Sequence, residues 1–516
     1  MGSSASKPQA PLSSNEKQAT SAQAASPSDA SAAALLTRLS EIRLQDQSTN
    51  QENMEINVSQ LGPWEDAVSS STSYRLARTI LSKTPFQDAL LRPELVPVDK
   101  HVFNIPNEAT KVTNQMSSGR CWLFATCNLM RLGVMDRYQL SGDFELSQSY
   151  LCFYDWLEKS NWFLEQMLDT AEEPITSHTV QYLFQAPQND GGQFSMVTSL
   201  LDKYGIVPQT VFPESYNSSN SSRVDGLLTS KLRENALELR ALYIKAFETA
   251  QQSLSADKTH CQKVALSACR KRKADQLADI YRILSITLGA PPKPTDEFTW
   301  DYYSKDGKFH SLKTSPAEFY KKSVAPFKAD DMVSLINDPR NKYDQTYTVD
   351  RLGNVVNGSR GVLYANTTTD EMKSLVVQIL KSGKPVWFGC DVGKFSNSRL
   401  GILDTKLHNY EDSFGITFGM TKAERLMCKE SAMTHAMMIT AAHVDESGQA
   451  VRFRIENSWS SDVGDKGFFM MTAAWFDEFV YQVVVPRKYC RSKVLDLVDN
   501  GSPVVLPADD PMGALA

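Results

Sequence analysis

The chain has 516 residues, 41% of them hydrophobic and 22% charged, which is enough apolar content for a large core at an ordinary globular charge density. Its formal net charge of −6 argues against the broad basic field that a dedicated phosphate-backbone binder uses. The eight cysteines, at 121, 127, 152, 261, 269, 390, 428 and 490, include no CxxC pair, so zinc ribbons and thioredoxin-type redox sites are not indicated.

The opening MGSSASKPQA lacks the apolar core of a secretory leader, and no apolar run approaches the roughly 18 residues of a membrane span. The expected setting is reducing and cytoplasmic, with free thiols. Of the first 50 residues 21 are Ser or Ala, and no aromatic residue precedes Trp64. Residues 1–52 therefore cannot bury enough apolar surface to offset their ordering entropy and are expected to be disordered. Leu35, Leu36, Leu39 and Ile42 form a short stripe beside Arg38 and Arg43. As a transit peptide it would give a mitochondrial fraction, but Asp29 and Glu41 oppose that reading. Gly2 with Ser6 matches the myristoylation pattern, which would give a peripheral membrane fraction; the competing reading is a chance match in a Ser-rich tail. One acyl chain binds a membrane only marginally.

From residue 53 the composition is globular. Between Pro213 and Pro291 the texture is helical: Leu232, Ala236, Leu239, Tyr243 and Ala246 recur at helical spacing, as do Leu277, Ile280 and Leu284, with Gly289 and Pro291-Pro292 as the stop. Arg270, Lys271, Arg272 and Lys273 lie in this stretch, either as a solvated helix face or as a local patch for nucleic acid. Beyond residue 380 strands dominate, as in Pro385–Asp391 and Val451–Asn457, so the fold class reads as α+β. No internal repeat is visible.

The segment Asn114-Gln-Met-Ser-Ser-Gly-Arg-Cys121 leads through small residues into an apolar helix, placing Cys121 at a helix N-terminus. That position favours a thiolate, more so beside an imidazolium. Taken alone, a buried cysteine at a helix start also fits inert packing, so its partners decide. His435 starts a strand-like run, Asn457 ends another, and Asp445–Gly448 between them has turn composition. A turn centred near residues 446 and 447 makes opposed positions sum to about 893, and 435 and 457 sum to 892. The two side chains should face each other within a residue or two of register, as a base and its orienting group require.

These residues resemble the papain-like cysteine peptidases: Gln115, Cys121-Trp122, a late histidine and Asn457-Ser458-Trp459 stand in that order. The tracts Asn189-Asp-Gly-Gly-Gln193 and Gly464-Asp-Lys-Gly-Phe468 add to the likeness. The 314-residue separation of Cys121 and His435 exceeds the roughly 130–150 of the papain pattern, so a large insertion is expected. The paired cysteines of secreted members are missing. Both departures are similar to the intracellular bleomycin hydrolase branch, as is the ending Pro507–Ala516.

The resemblance implies a papain-like fold over 53–500, a helical domain and a strand-rich domain with the active-site cleft between them. It implies a mainly helical insertion over about 213–340 and a C-terminal arm, 501–516, reaching the cleft. It implies Cys121 as nucleophile, His435 as base, Asn457 as its orienting group and Gln115 as an oxyanion-hole donor. Trp459 would cover the histidine, and the Ala516 carboxylate would anchor the substrate's N-terminal amine. The implied activity is a broad aminopeptidase acting on peptides, bleomycin-type amides and homocysteine thiolactone, in a homohexameric ring, with no metal or organic cofactor. A hexameric nucleic-acid-binding or regulatory protein on the same scaffold and a Cys-dependent acyltransferase are the alternatives.

Overall fold

The computed structural model describes residues 56–515, apart from 97, 99–100, 108–109, 255–256, 325–327 and 359–360. Gly2, the stripe at residues 35–42 and the terminal Ala516 lie outside the described residues.

Helix α1 (Cys121–Tyr138) begins directly after the small-residue loop and stops where Gln139 turns left-handed, at φ 52°. Its first eight side chains, Cys121 to Asn128, are all buried. A helix apolar on every side belongs inside a core. Around it pack α2 (Gln148–Asp169) and α3 (Phe194–Tyr204), both contributing to the same apolar cluster.

Two long helices follow, α4 (Ser222–Leu254) and α5 (Lys258–Leu288), packed on each other and on α2. Leu232, Ala236, Leu239 and Tyr243 of the expected stripe are buried, as are Ile280 and Leu284, and Gly289 at φ 92° ends α5. The remainder of the stretch up to residue 340 is less helical than expected. It holds an antiparallel hairpin of β1 (Phe298–Tyr303) and β2 (Phe309–Thr314), on which only Trp300 is fully buried.

Strands also begin well before residue 380. β3 (Met332–Ile336), β4 (Gln345–Val349) and β5 (Tyr364–Asn366) are three to five residues long, too short to display a period in sequence. After α6 (Thr369–Lys381) come β6 (Val386–Cys390), β7 (Ser396–Asn397), β8 (Ile402–Leu403), β9 (His435–Val444), β10 (Ala450–Glu456) and β11 (Phe468–Thr472). Helix α7 (Ala473–Phe479), β12 (Val480–Pro486) and β13 (Val504–Leu506) complete one sheet of order β13-β4-β5-β3-β12-β6-β9-β10-β11-β8-β7.

The central strands are covered on both faces. Trp387, Ala436, Met438 and Tyr481 point into the cluster of α1, whereas Phe388, Met437, Ile439 and Val483 point to the opposite cluster with α6 and α7. Double coverage explains why β6 and β9 read as continuous apolar runs rather than alternating ones.

The C-terminal arm is seated rather than frayed. β13 pairs in parallel with β4, and Met512 and Gly513 are buried beyond it. A Cβ on Gly513 would come within 2.9 Å of Val349 Cγ1. Arg340 Nη2 bridges Asp338 and Asp510, each at 2.8 Å, with the Asp338 side chain 1% exposed. Arg340→Met removes the cation shared by these carboxylates and is expected to cost about 3–5 kcal/mol, read from denaturant unfolding.

Candidate active site

The loop before α1 is held from outside. Gly119 N–H donates to Asp190 Oδ2 at 2.8 Å, and the Trp122 indole donates to the Asp190 carbonyl at 2.7 Å. Ser221 donates its hydroxyl to the same carboxylate. Below, Lys159 Nζ donates to the carbonyls of Asn189 (2.8 Å) and Gly191 (2.5 Å) and pairs with Asp155 at 2.7 Å, both side chains being buried. The Asn189–Gln193 tract thus lies flat on Trp122, the residue after Cys121. A Cβ on Gly192 would fall 2.5 Å from the Trp122 ring.

β9, the turn at Asp445–Gly448 and β10 form the expected hairpin. Asp445 Oδ1 accepts the N–H groups of Ser447 and Gln449, both at 2.9 Å, and Gly448 takes φ 82°. The ladder pairs Glu456 with Met438 and Ile455 with Ile439, with register shifts near Ala450 and Arg454. Opposed positions sum to 894 or 895, so His435 and Asn457 are diagonal neighbours rather than direct partners. A two-residue slip keeps both side chains on one face. His435 Nε2 and Asn457 Oδ1 are 2.9 Å apart.

The ring's proton can be placed. Asn457 Oδ1 also accepts the Ser458 N–H at 2.8 Å, which fixes that end of the amide as the oxygen. His435 Nε2 must then donate, leaving the lone pair of a neutral imidazole on Nδ1. Trp459 lies over the ring, with centroids 4.8 Å apart and planes at 31°. The Cys121 sulfur accepts the N–H of Ala436, the residue after His435, at 3.4 Å. Gln115 donates Nε2–H to the Ser118 carbonyl at 2.5 Å and accepts the Ser458 hydroxyl on Oε1 at 2.6 Å. Its backbone N–H bonds the Ser458 carbonyl at 2.8 Å. The structure therefore brings Gln115, Cys121, His435 and Asn457 to one place, from four segments of chain.

Electrostatics at the sulfur run against the sequence expectation. Burial pushes the Cys121 thiol up to about 12; the N–H groups of Ala436, Trp122 and Cys121 itself pull it down, but by less. Burial likewise holds the His435 imidazole down to about 4, with the Asn457 hydrogen bond opposing. Desolvation in apolar surroundings raises a thiol's pKa, and here it outweighs the donors of the helix start. In this closed core the neutral thiol and neutral ring are the favoured forms.

The other sequence candidates lie elsewhere. Arg270, Arg272 and Lys273 on α5 are ion-paired, Arg270 and Lys273 with Glu165 and Arg272 with Glu238. Lys271 is exposed. Ala516 is not described, but Ala514 two residues before it accepts a hydrogen bond on its carbonyl from Gln193 Nε2 at 2.6 Å. Gln193 as a tether for the arm, and the Asp155–Lys159 pair beneath the Asn189 tract, were not foreseen. The i,i+4 spacing of Asp155 and Lys159 was the one visible signal. Among the described residues no group of three His, Cys, Asp or Glu side chains is arranged to hold a metal, and no helix is long and apolar enough to cross a membrane. Gly192→Ala drives a methyl into the Trp122 ring and is expected to cost about 1–3 kcal/mol, measured as a lowered thermal midpoint.

Comparison with known proteins gives the family. The model of the Peptidase C1-like family matches residues 55–513. Mouse bleomycin hydrolase is 40% identical over 475 residues, covering 90% of this chain and 99% of its own. Cysteine proteinase 1, mitochondrial, of Saccharomyces cerevisiae (strain YJM789) is 41% identical over 469 residues, covering 89% of this chain and 93% of its own. The crystal structure of PepW from Lactobacillus rhamnosis HN001 superposes with a TM-score of 0.82 at 39% identity, covering 90% of this chain and 99% of that one. The chain belongs to the Peptidase C1-like family: it is a papain-like cysteine peptidase.

Proposed function

We propose that the chain is a broad-specificity cysteine aminopeptidase, releasing N-terminal residues from peptides and hydrolysing bleomycin-type amides and homocysteine thiolactone through an acyl-enzyme on Cys121. The observation that carries this reading is the convergence of the Cys121 sulfur, 3.4 Å from the Ala436 N–H, with the His435–Asn457 pair at 2.9 Å. Because burial favours the neutral thiol, its proton passes to His435 Nδ1 as the sulfur attacks the carbonyl. The imidazolium so formed then protonates the leaving amine, and water drawn through the same ring releases the acyl group. Asn457 keeps the ring in the tautomer that presents Nδ1. The Gln115 amide has one hydrogen beyond that spent on Ser118, and with the Cys121 backbone N–H it serves the developing oxyanion.

The exopeptidase part rests on the arm. Gln193 holds Ala514 next to Gly192, which lies on Trp122, so the last residue has a short reach to the cleft. A carboxylate at Ala516 there pairs with a substrate's terminal ammonium and closes the cleft beyond it. The six-copy ring and the cytoplasmic setting are carried over from the family likeness. A nucleic-acid role draws no support from Arg270, Arg272 and Lys273, whose charges are already met by glutamates.

Cys121→Ala is expected to lower hydrolysis of aminoacyl amides by at least about 10³-fold, and an unchanged rate contradicts the mechanism. Gln115→Ala is expected to lower kcat by about 10²–10³-fold. Deleting residues 511–516 should abolish release of single N-terminal residues and give internal cleavage of a blocked peptide; an unchanged product pattern counts against the arm's role.

A further inference from the structure

We propose that Arg131 and Glu456 are positioning residues for the reaction, a buried ion pair that ties together three of the chain segments bearing the catalytic groups, those of Cys121, Gln115 and Asn457. Arg131 lies ten residues after Cys121 on α1. Its Nη2 donates to Glu456 Oε1 at 2.8 Å, to Thr110 Oγ1 at 2.6 Å and to the Lys111 carbonyl at 2.8 Å. The side chains of Arg131 and Glu456 are 1% and 3% exposed.

Each partner sits next to one part of the site. Glu456 immediately precedes Asn457. Thr110 and Lys111 begin the segment that reaches Gln115, and that segment is laced to the asparagine segment further on: Ser460 N–H donates to the Thr113 carbonyl at 3.3 Å and Gln115 N–H to the Ser458 carbonyl. Asn128, also on α1, donates to Thr113 Oγ1 at 3.0 Å. One guanidinium thus references Cys121, Gln115 and Asn457 to a common point.

Glu456 has a second cation near it, but Arg454 directs its guanidinium to the Asn107 carbonyl (2.8 Å) and the Thr440 hydroxyl (3.0 Å). Two charges are removed from water here, and an ion pair in such a place contributes little stability over an apolar pair of the same shape. Its directional bonds fix geometry instead, which in acyl transfer governs kcat more than substrate binding.

The inference rests on the Cys121 mechanism, and its test separates the two. Replacing both partners, Arg131→Met with Glu456→Leu, leaves no orphan charge and is expected to fold with a thermal midpoint near that of the parent. The expected result is a kcat at least about tenfold lower with KM within about twofold. Alkylation of Cys121 by iodoacetamide should also slow, with its pH profile displaced. Parental kcat and alkylation profile in this folded variant overturn the proposal. If the double variant does not fold, Glu456→Gln, which keeps the shape and loses the charge, is read by the same three measurements, and parental values there overturn it equally. Hydrolysis persisting in Cys121→Ala instead sinks the mechanism on which the proposal stands.

Discussion

The sulfur of Cys121 is positioned by the packing of α1 against β9. Eight successive buried side chains lock the helix start, and the sheet surface it meets is Ala436 and Met438. Ala436 is small enough for the helix to approach until the sulfur accepts its N–H. That approach puts the nucleophile beside the residue that follows His435, at the place where β9 leaves the sheet. Loop, arm and hairpin all arrange themselves around this contact between a helix end and a strand end.

The closeness has an electrostatic cost. Burial raises the thiol and lowers the imidazole, so the core that fixes the two groups also opposes separating their charges. What opposes it is a set of oriented dipoles: three N–H groups that donate to the sulfur and one amide oxygen that accepts from the ring. These dipoles are held in place before substrate arrives and need not reorganise during the reaction. The polar network around the site serves the same end. Lys159 collects the carbonyls of the Asn189 tract, Asp190 takes the N–H of Gly119, and Arg131 joins the helix to the segments of Gln115 and Asn457.

Much of the site was legible because its signals are local. The small-residue loop before an apolar helix marks Cys121, and the Asp445–Gly448 turn alone brings His435 and Asn457 onto one face. The exact register was not legible. Opposed positions sum to 894 at both ends of the ladder, one more than the turn composition implies, and the one-residue shifts near Ala450 and Arg454 cancel. The early strands were missed because β3 to β5 are only three to five residues long, too short to display a period. A helix N-terminus, which lowers a thiol's pKa, shows in sequence, whereas the depth of the core around Cys121, which raises it, does not. Contacts such as Gln193 with Ala514 or Arg131 with Glu456 span more than 300 residues and depend on tertiary packing.

The central claim is that one cysteine among eight carries the acyl group. It is tested most directly by mixing the enzyme with a slowly turned-over aminoacyl ester, quenching in acid, digesting and weighing the peptides. The account predicts the mass of the substrate's aminoacyl group on the peptide containing Cys121, confined to that residue and absent from Cys127 and Cys152. The acyl group on another side chain, or no acyl-enzyme at all while turnover proceeds, would contradict it.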